Sequence, residues 1–286
     1  MKQLINMPVK KKYQGIIIPA ITPLSASLTL DEAAVERIFS LFRSHSVMPF
    51  ILGTTGEAPS LPLSVKQQYV RLAARIKEKH DILYTGISSN CLEDSVEMGK
   101  FSFGQGADVV VATLPSYYAL TEDQMKRYFQ QLADRVKGPL IIYNIPATVH
   151  QSIPLSVIDE LSHHPNIVGT KDSERNEERL TASLDLWASR KDFSHFIGWA
   201  AKSAEALRKG SDGLIPSTGN FNPGLYREMW TAVRDGDDEK ALKLQVLSNQ
   251  LGDTYQVGRS LGESLAVLKM IMQKEGWCQP YMMPPL

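Results

Sequence analysis

Eight short β-forming runs recur along the 286-residue chain, most of them roughly 30 residues apart, and stretches of helical periodicity lie between them. The runs cover residues 15–21, 49–54, 82–87, 108–114, 140–145, 167–171, 194–198 and 213–217. Several are almost wholly apolar, as in Val109-Val110-Val111 and Leu140-Ile141-Ile142. A strand with no polar face has to be covered on both sides, which is the condition of a parallel sheet layered by helices. Eight such units predict an α/β fold, a (β/α)8 TIM barrel with additional C-terminal helices. A doubly wound open sheet uses the same units, but the count of eight and the lack of a dinucleotide fingerprint favour closure.

The helical stretches carry their own start and stop signals. Asp31 precedes an apolar stripe through Val35, Ile38, Phe39 and Phe42, and Thr121 precedes one through Met125, Tyr128, Phe129 and Leu132. Val65, Tyr69, Leu72, Ala73 and Ile76 share one face of a helix spanning 64–79. Gly104-Gln105-Gly106 and Gly210-Ser211-Asp212-Gly213 each read as a helix stop leading into a strand. The pattern from Pro223 to Trp277 is almost entirely helical and is broken at Asp235-Gly236-Asp237-Asp238. The expected organisation is therefore a barrel over 1–222 and a helical extension over 223–286 packed on it, as one structural unit.

Composition excludes more than it identifies. Lysine and arginine number 31 and the acidic residues 31, a balance without the basic footprint of a nucleic-acid binder. The single basic run, Lys10-Lys11-Lys12, reads as a solvated tail. The first 13 residues contain no apolar core of signal-peptide length, and no run approaches the ~18 apolar residues of a membrane span. Cys91 and Cys278 are far apart and form no CxxC, so free thiols in a reducing cytoplasm are expected. The histidines are scattered without metal-ligand spacing, and His163-His164 reads as a surface or helix-end pair.

In a barrel the reactive residues stand at strand C-terminal ends and in the loops that follow. Lys171 ends the apolar run Ile167-Val168-Gly169-Thr170. An ammonium buried there is costly unless it loses its charge or gains a partner, and a lysine with a lowered pKa is a nucleophile that forms Schiff bases with carbonyls. The bland alternative is a strand-end lysine snorkelling to water. Gly53-Thr54-Thr55-Gly56-Glu57 follows the second strand, a hydroxyl-rich turn whose backbone amides suit a carboxylate or phosphate. It lacks the lysine and the spacing of a Walker loop. Tyr143 ends the fifth strand in Tyr143-Asn144-Ile145-Pro146, and Tyr117 and Tyr118 follow the fourth. Phenols converging on one lysine could relay protons.

These motifs, in this order, resemble the family of dihydrodipicolinate synthase and N-acetylneuraminate lyase, the pyruvate-dependent class I aldolases. The resemblance runs from Gly15-Ile16-Ile17-Ile18-Pro19-Ala20-Ile21-Thr22-Pro23 to Leu214-Ile215-Pro216-Ser217-Thr218-Gly219-Asn220. It implies that Lys171 forms a covalent imine with a 2-keto acid, with no metal or other cofactor. It further implies that Thr54 and Thr55 hold the substrate carboxylate and that Tyr143 transfers protons. Tyr117 would complete the relay across a subunit interface, in a homodimer or homotetramer. Gly53, Thr148, Gly198, Trp199, Ile215 and Ser217 complete the implied substrate site, which takes a small 2-keto acid and an aldehyde.

The chain departs from the family pattern where substrates are told apart. Dihydrodipicolinate synthases carry an arginine shortly after the tyrosine, and Thr148 stands here, in Ala147-Thr148-Val149-His150. A threonine offers no bidentate guanidinium. Sialic acid lyases place an acidic pair after the glycine of strand seven, and here Gly198 is followed by Trp199, Ala200 and Ala201. The end at Pro284-Pro285-Leu286 leads to the expectation that part of the usual C-terminal helix is missing. A 2-keto-3-deoxy sugar acid aldolase is the leading expectation. Dihydrodipicolinate synthase, N-acetylneuraminate lyase, a dehydratase of the same family and a non-catalytic keto-acid sensor are the alternatives. A phosphate-binding barrel ranks below them, because Gly210-Ser211-Asp212-Gly213 precedes its strand and so lies at the wrong end.

Overall fold

The computed structural model describes residues 11–286, so Lys10 of the basic run lies outside the described residues. The eight expected strands are β1 (Gly15–Pro19), β2 (Met48–Ile51), β3 (Tyr84–Gly86), β4 (Val109–Ala112), β5 (Leu140–Asn144), β6 (Ile167–Asp172), β7 (Ser194–Ile197) and β8 (Gly213–Leu214). Each pairs in parallel with the next, and β8 returns to β1 through Gly15 opposite Gly213 and Ile16 opposite Leu214, closing the barrel. Most strands are shorter than their apolar runs. The run at 15–21 stays paired only to Pro19, and that at 213–217 only to Leu214, with Ser217–Asn220 forming a 3-10 turn. At the barrel mouth the backbone leaves the ladder for the loops while its side chains stay buried, so hydrophobicity outlasts strand pairing.

Helices α1 (Glu32–Ser44), α2 (Leu63–Ile76), α3 (Leu92–Gln105) and α4 (Glu122–Val136) follow the first four strands. A short α5 (Pro146–Val149) and α6 (Leu155–Leu161) follow β5, then α7 (Glu177–Trp187) follows β6 and α8 (Ser203–Arg208) follows β7. The start signals act as expected. The Asp31 carboxylate accepts the Ala34 N–H at 3.0 Å. At α4, Thr121 Oγ1 accepts the Gln124 N–H at 3.3 Å while Gln124 Oε1 accepts the Thr121 N–H at 2.8 Å, a reciprocal capping box. Gly106 ends α3 at φ 107°, a left-handed conformation that a side chain would strain.

The last three helices are α9 (Pro223–Asp235), α10 (Asp238–Gln256) and α11 (Leu261–Lys274). The break at 235–238 is where expected. A second break falls at 257–260, where Ser260 caps α11 through a box with Glu263. Leu225, Tyr226, Tyr255, Leu268 and Met272 of these helices belong to the same apolar cluster as Ile18, Val110 and Ile142 of the strands. A separate cluster, with Ile17, Phe50, Tyr84, Val109 and Phe196, fills the barrel interior. The strands are thus buried on both faces, as their continuous apolar character requires.

Lys11 corrects the reading of the basic run as a solvated tail. Its ammonium is buried at the N-terminal end of the barrel, donating to Asp212 Oδ2 at 2.7 Å and to the carbonyls of Phe193 and Trp187 at 2.9 and 3.0 Å. Three acceptors match three donors, which is the condition under which a buried ammonium is tolerated. No local pattern in the sequence announces partners some two hundred positions away.

Candidate active site

Tyr143 and Lys171 lie side by side on adjacent strands, in register across β5 and β6, and both are buried. The Lys171 ammonium nitrogen stands 3.9 Å from the centre of the Tyr143 ring and 5.1 Å from that of Phe50. Burial by itself pushes the Tyr143 phenol up. The charge of Lys171 and the neighbouring side chains of Thr54, Ser173 and Lys171 together outweigh it, so the phenol is held below its ordinary value. A phenol lowered in this way is better matched to proton transfer near neutral pH.

The next residue on each strand points to the other side of the sheet. There Asn144 and Asp172 form the following register pair. Asn144 Nδ2 donates to both Asp172 oxygens, at 3.2 and 3.3 Å, and to Glu174 at 3.0 Å. Arg179 Nε donates to Asp172 Oδ2 at 2.7 Å. Burial drives the Asp172 carboxyl upward against the charge of Arg179, and it remains raised. This buried network sits behind the Tyr143–Lys171 pair and ties β5, β6 and α7 together.

The loop after β2 folds as a tight turn. Gly56 N–H donates to Gly53 O and Glu57 N–H to Thr54 O, both at 3.1 Å. Those two amides are therefore used by the turn itself and are not offered to a ligand. Thr54 and Thr55 face a cleft of about 720 Å³ at the mouth of the barrel, together with Tyr143, Lys171, Gly198, Trp199, Ile215 and Ser217. The volume suits a small keto acid with a second substrate. A side chain at Gly198 would collide with Ser173 Oγ at 2.0 Å, so glycine there keeps the β6 and β7 loops in contact.

Three expected site residues do not line the cleft of this chain. Gly53 opens the turn, is buried against the Phe50 ring and does not line the cleft. Thr148 is in α5, where its hydroxyl donates back to Ile145 O at 3.4 Å, while Pro146 and Ala147 face the cleft in its place. Tyr117 is 77% exposed on the loop after β4, edge-to-face with Tyr118 at 4.9 Å, and away from the cleft of its own chain. The cleft also has members that motif reading missed: Ser173 and Arg175 after β6, and Asp253, Gln256 and Arg259 from α10 and the loop beyond it. Ser173 follows Lys171 by two residues and could have been found from strand alternation. The others depend on where α10 docks.

Among the described residues no group of histidine, cysteine and acidic side chains is placed to hold a metal ion, and no helix is long and apolar enough to cross a membrane. The family model for the dihydrodipicolinate synthetase family matches residues 12–286. A 4-hydroxy-tetrahydrodipicolinate synthase of Acidiphilium cryptum (strain JF-5) is 32% identical over 82% of this chain and 80% of its own length. A probable 2-dehydro-3-deoxy-D-pentonate aldolase of Escherichia coli (strain K12) is 28% identical over 96% of this chain and 92% of its own. The structure of YagE, a prophage protein of the dihydrodipicolinic acid synthase family from E. coli K12 in complex with pyruvate, superposes with a TM-score of 0.91. It is 26% identical, covering 96% of this chain and 93% of that one. By its matched length, its barrel and its relatives, the chain belongs to the dihydrodipicolinate synthetase family and is a lyase of that family.

Proposed function

We propose that this lyase is a Schiff-base aldolase that cleaves or forms a 2-keto-3-deoxy sugar acid, with Lys171 as the nucleophile. The observation that carries the reading is the packing of Lys171 against Tyr143 in the cleft beside Thr54 and Thr55. In the cleavage direction the free amine of Lys171 adds to the C2 carbonyl, and Tyr143 supplies the proton that lets the carbinolamine oxygen leave as water. The resulting iminium draws electrons from the C3–C4 bond as the C4 hydroxyl passes its proton to the Tyr143 phenolate left by that dehydration. That bond breaks, the aldehyde departs, and the Tyr143 phenol returns the proton to C3 of the enamine. Water then hydrolyses the imine, releasing pyruvate and restoring the amine. The covalent imine takes the electron-sink role, so the proposed steps need no other cofactor.

Thr54 and Thr55 are assigned to the substrate carboxylate, and Tyr117 of a second copy of the chain to the proton relay. The exposure of Tyr117 and Tyr118 is consistent with their use at a dimer or tetramer interface. Two features support a sugar acid. No arginine occupies the Thr148 position, and Ala147 and Pro146 present no cation there for the carboxylate of aspartate semialdehyde. The outer cleft still carries Arg175, Asp253, Gln256 and Arg259, polar groups able to bind hydroxyls. The A. cryptum relative favours a second reading, synthesis of 4-hydroxy-tetrahydrodipicolinate.

Incubation with pyruvate and borohydride is expected to add a reduced-imine mass to Lys171, and Lys171→Ala is expected to abolish it. A label on another lysine refutes the assignment. Cleavage assays on 2-keto-3-deoxy acids, run beside condensation of pyruvate with aspartate semialdehyde, separate the two readings.

A further inference from the structure

Glu57 closes the Gly53-Thr54-Thr55-Gly56-Glu57 turn, yet no chemical step above uses it. Its backbone is left-handed, at φ 57°, a conformation glycine adopts freely and glutamate only under strain. The side chain is completely buried and does not line the cleft. It meets the ammonium of Lys269 on α11 at 2.5 Å, and the Lys269 side chain is itself 1% exposed. Glu57 Oε2 also accepts the Met283 backbone N–H at 2.8 Å, and Lys269 donates to the Tyr281 carbonyl at 2.6 Å. Leu265 lies one turn before Lys269 on the same face of α11, and it lines the cleft together with Ser264.

The two charges therefore join the turn that bears Thr54 and Thr55 to the helix that forms another wall of the same cleft. Breaking a buried ion pair leaves an uncompensated charge, and the backbone groups of Met283 and Tyr281 further fix where these two side chains sit. We infer that Glu57 and Lys269 are positioning residues for the substrate carboxylate, locking the Thr54-Thr55 turn to α11 and to the chain segment from Tyr281 to Met283. This rests on the reading of Lys171 as the imine-forming residue. Neither side chain touches substrate. Loss of the lock weakens binding of pyruvate without removing the nucleophile.

The test measures the pyruvate concentration that gives half-maximal borohydride labelling of Lys171, followed by intact mass, and so needs no knowledge of the aldehyde. Wild type is compared with Glu57→Gln, Lys269→Met and the double variant, with a melting temperature for each. Half-saturation is expected to rise on the order of tenfold in every variant, with the final extent of labelling unchanged, the signature of lost ground-state binding. The double variant leaves neither charge unpaired, so its melting temperature is expected to recover while its half-saturation stays raised. If a single variant does not fold, the double is judged by the same criterion. Unchanged half-saturation in the double variant, with normal labelling of wild type, overturns the inference and leaves the role of Lys171 intact. Absence of pyruvate-dependent label in wild type overturns the role of Lys171, and the inference with it.

Discussion

Replacing Arg179 by Met should destabilise the protein strongly at neutral pH and weakly in acid. Arg179 is the guanidinium closest to Asp172, at 2.7 Å, and to Glu174, at 3.4 Å, and its side chain is 10% exposed. Without it Asp172 keeps only the Asn144 amide and the Glu174 N–H, which are hydrogen bonds without a countercharge. Stranding one member of a buried ion pair costs about 3–5 kcal/mol. The sign with pH follows from the direction of the shift. The folded protein holds the Asp172 proton more tightly than the unfolded chain does, because burial raises that carboxyl. Its contribution to stability therefore falls as pH rises from the unfolded value upward through the folded one. The variant removes the charge that opposes this rise, so its deficit grows only as pH passes the wild-type folded value, which lies above the unfolded value of roughly 3.9, and by at most about 1.4 kcal/mol per pH unit. At pH 4.5 the Asp172 share of the deficit is thus under about 1 kcal/mol. Urea denaturation of wild type and Arg179→Met at pH 7 and pH 4.5 measures both differences. A deficit below about 1 kcal/mol at pH 7, or one of equal size at the two pH values, refutes the account of a buried charge held by Arg179.

Three other outcomes are expected. Tyr143→Phe should lose on the order of 10²–10⁴ in turnover, the range for a positioned proton donor, and near-normal turnover removes that role. Light scattering should find a dimer or tetramer that Tyr117→Phe leaves assembled but impaired, whereas a fully active monomer contradicts the placement of Tyr117 across an interface. Lys11→Met strands Asp212, whose carboxyl burial pushes up to about 6 even with Lys11 beside it. Since a raised carboxyl loses stability as pH climbs through its folded value, the variant should melt further below wild type at pH 8 than at pH 5, and a uniform deficit argues against the pairing.

The barrel was legible in the chain because its causes are local. Val109-Val110-Val111 and Leu140-Ile141-Ile142 announce strands buried on both faces, and Thr121 announces α4 through a cap made within three residues. The location of Lys171, Tyr143, Thr54 and Thr55 in one cleft was legible too, since each stands at or just past the end of an apolar run and the barrel brings those ends to one mouth. Tertiary structure decided what had no local signature. The docking of α10 and α11 brings Asp253, Gln256 and Arg259 to the cleft. Lys11 finds its acceptor on Asp212, 201 positions away, and Glu57 accepts the Met283 amide across 226. Periodicity records which face of a segment is buried, but the partner of a buried charge is set by the path of the whole chain.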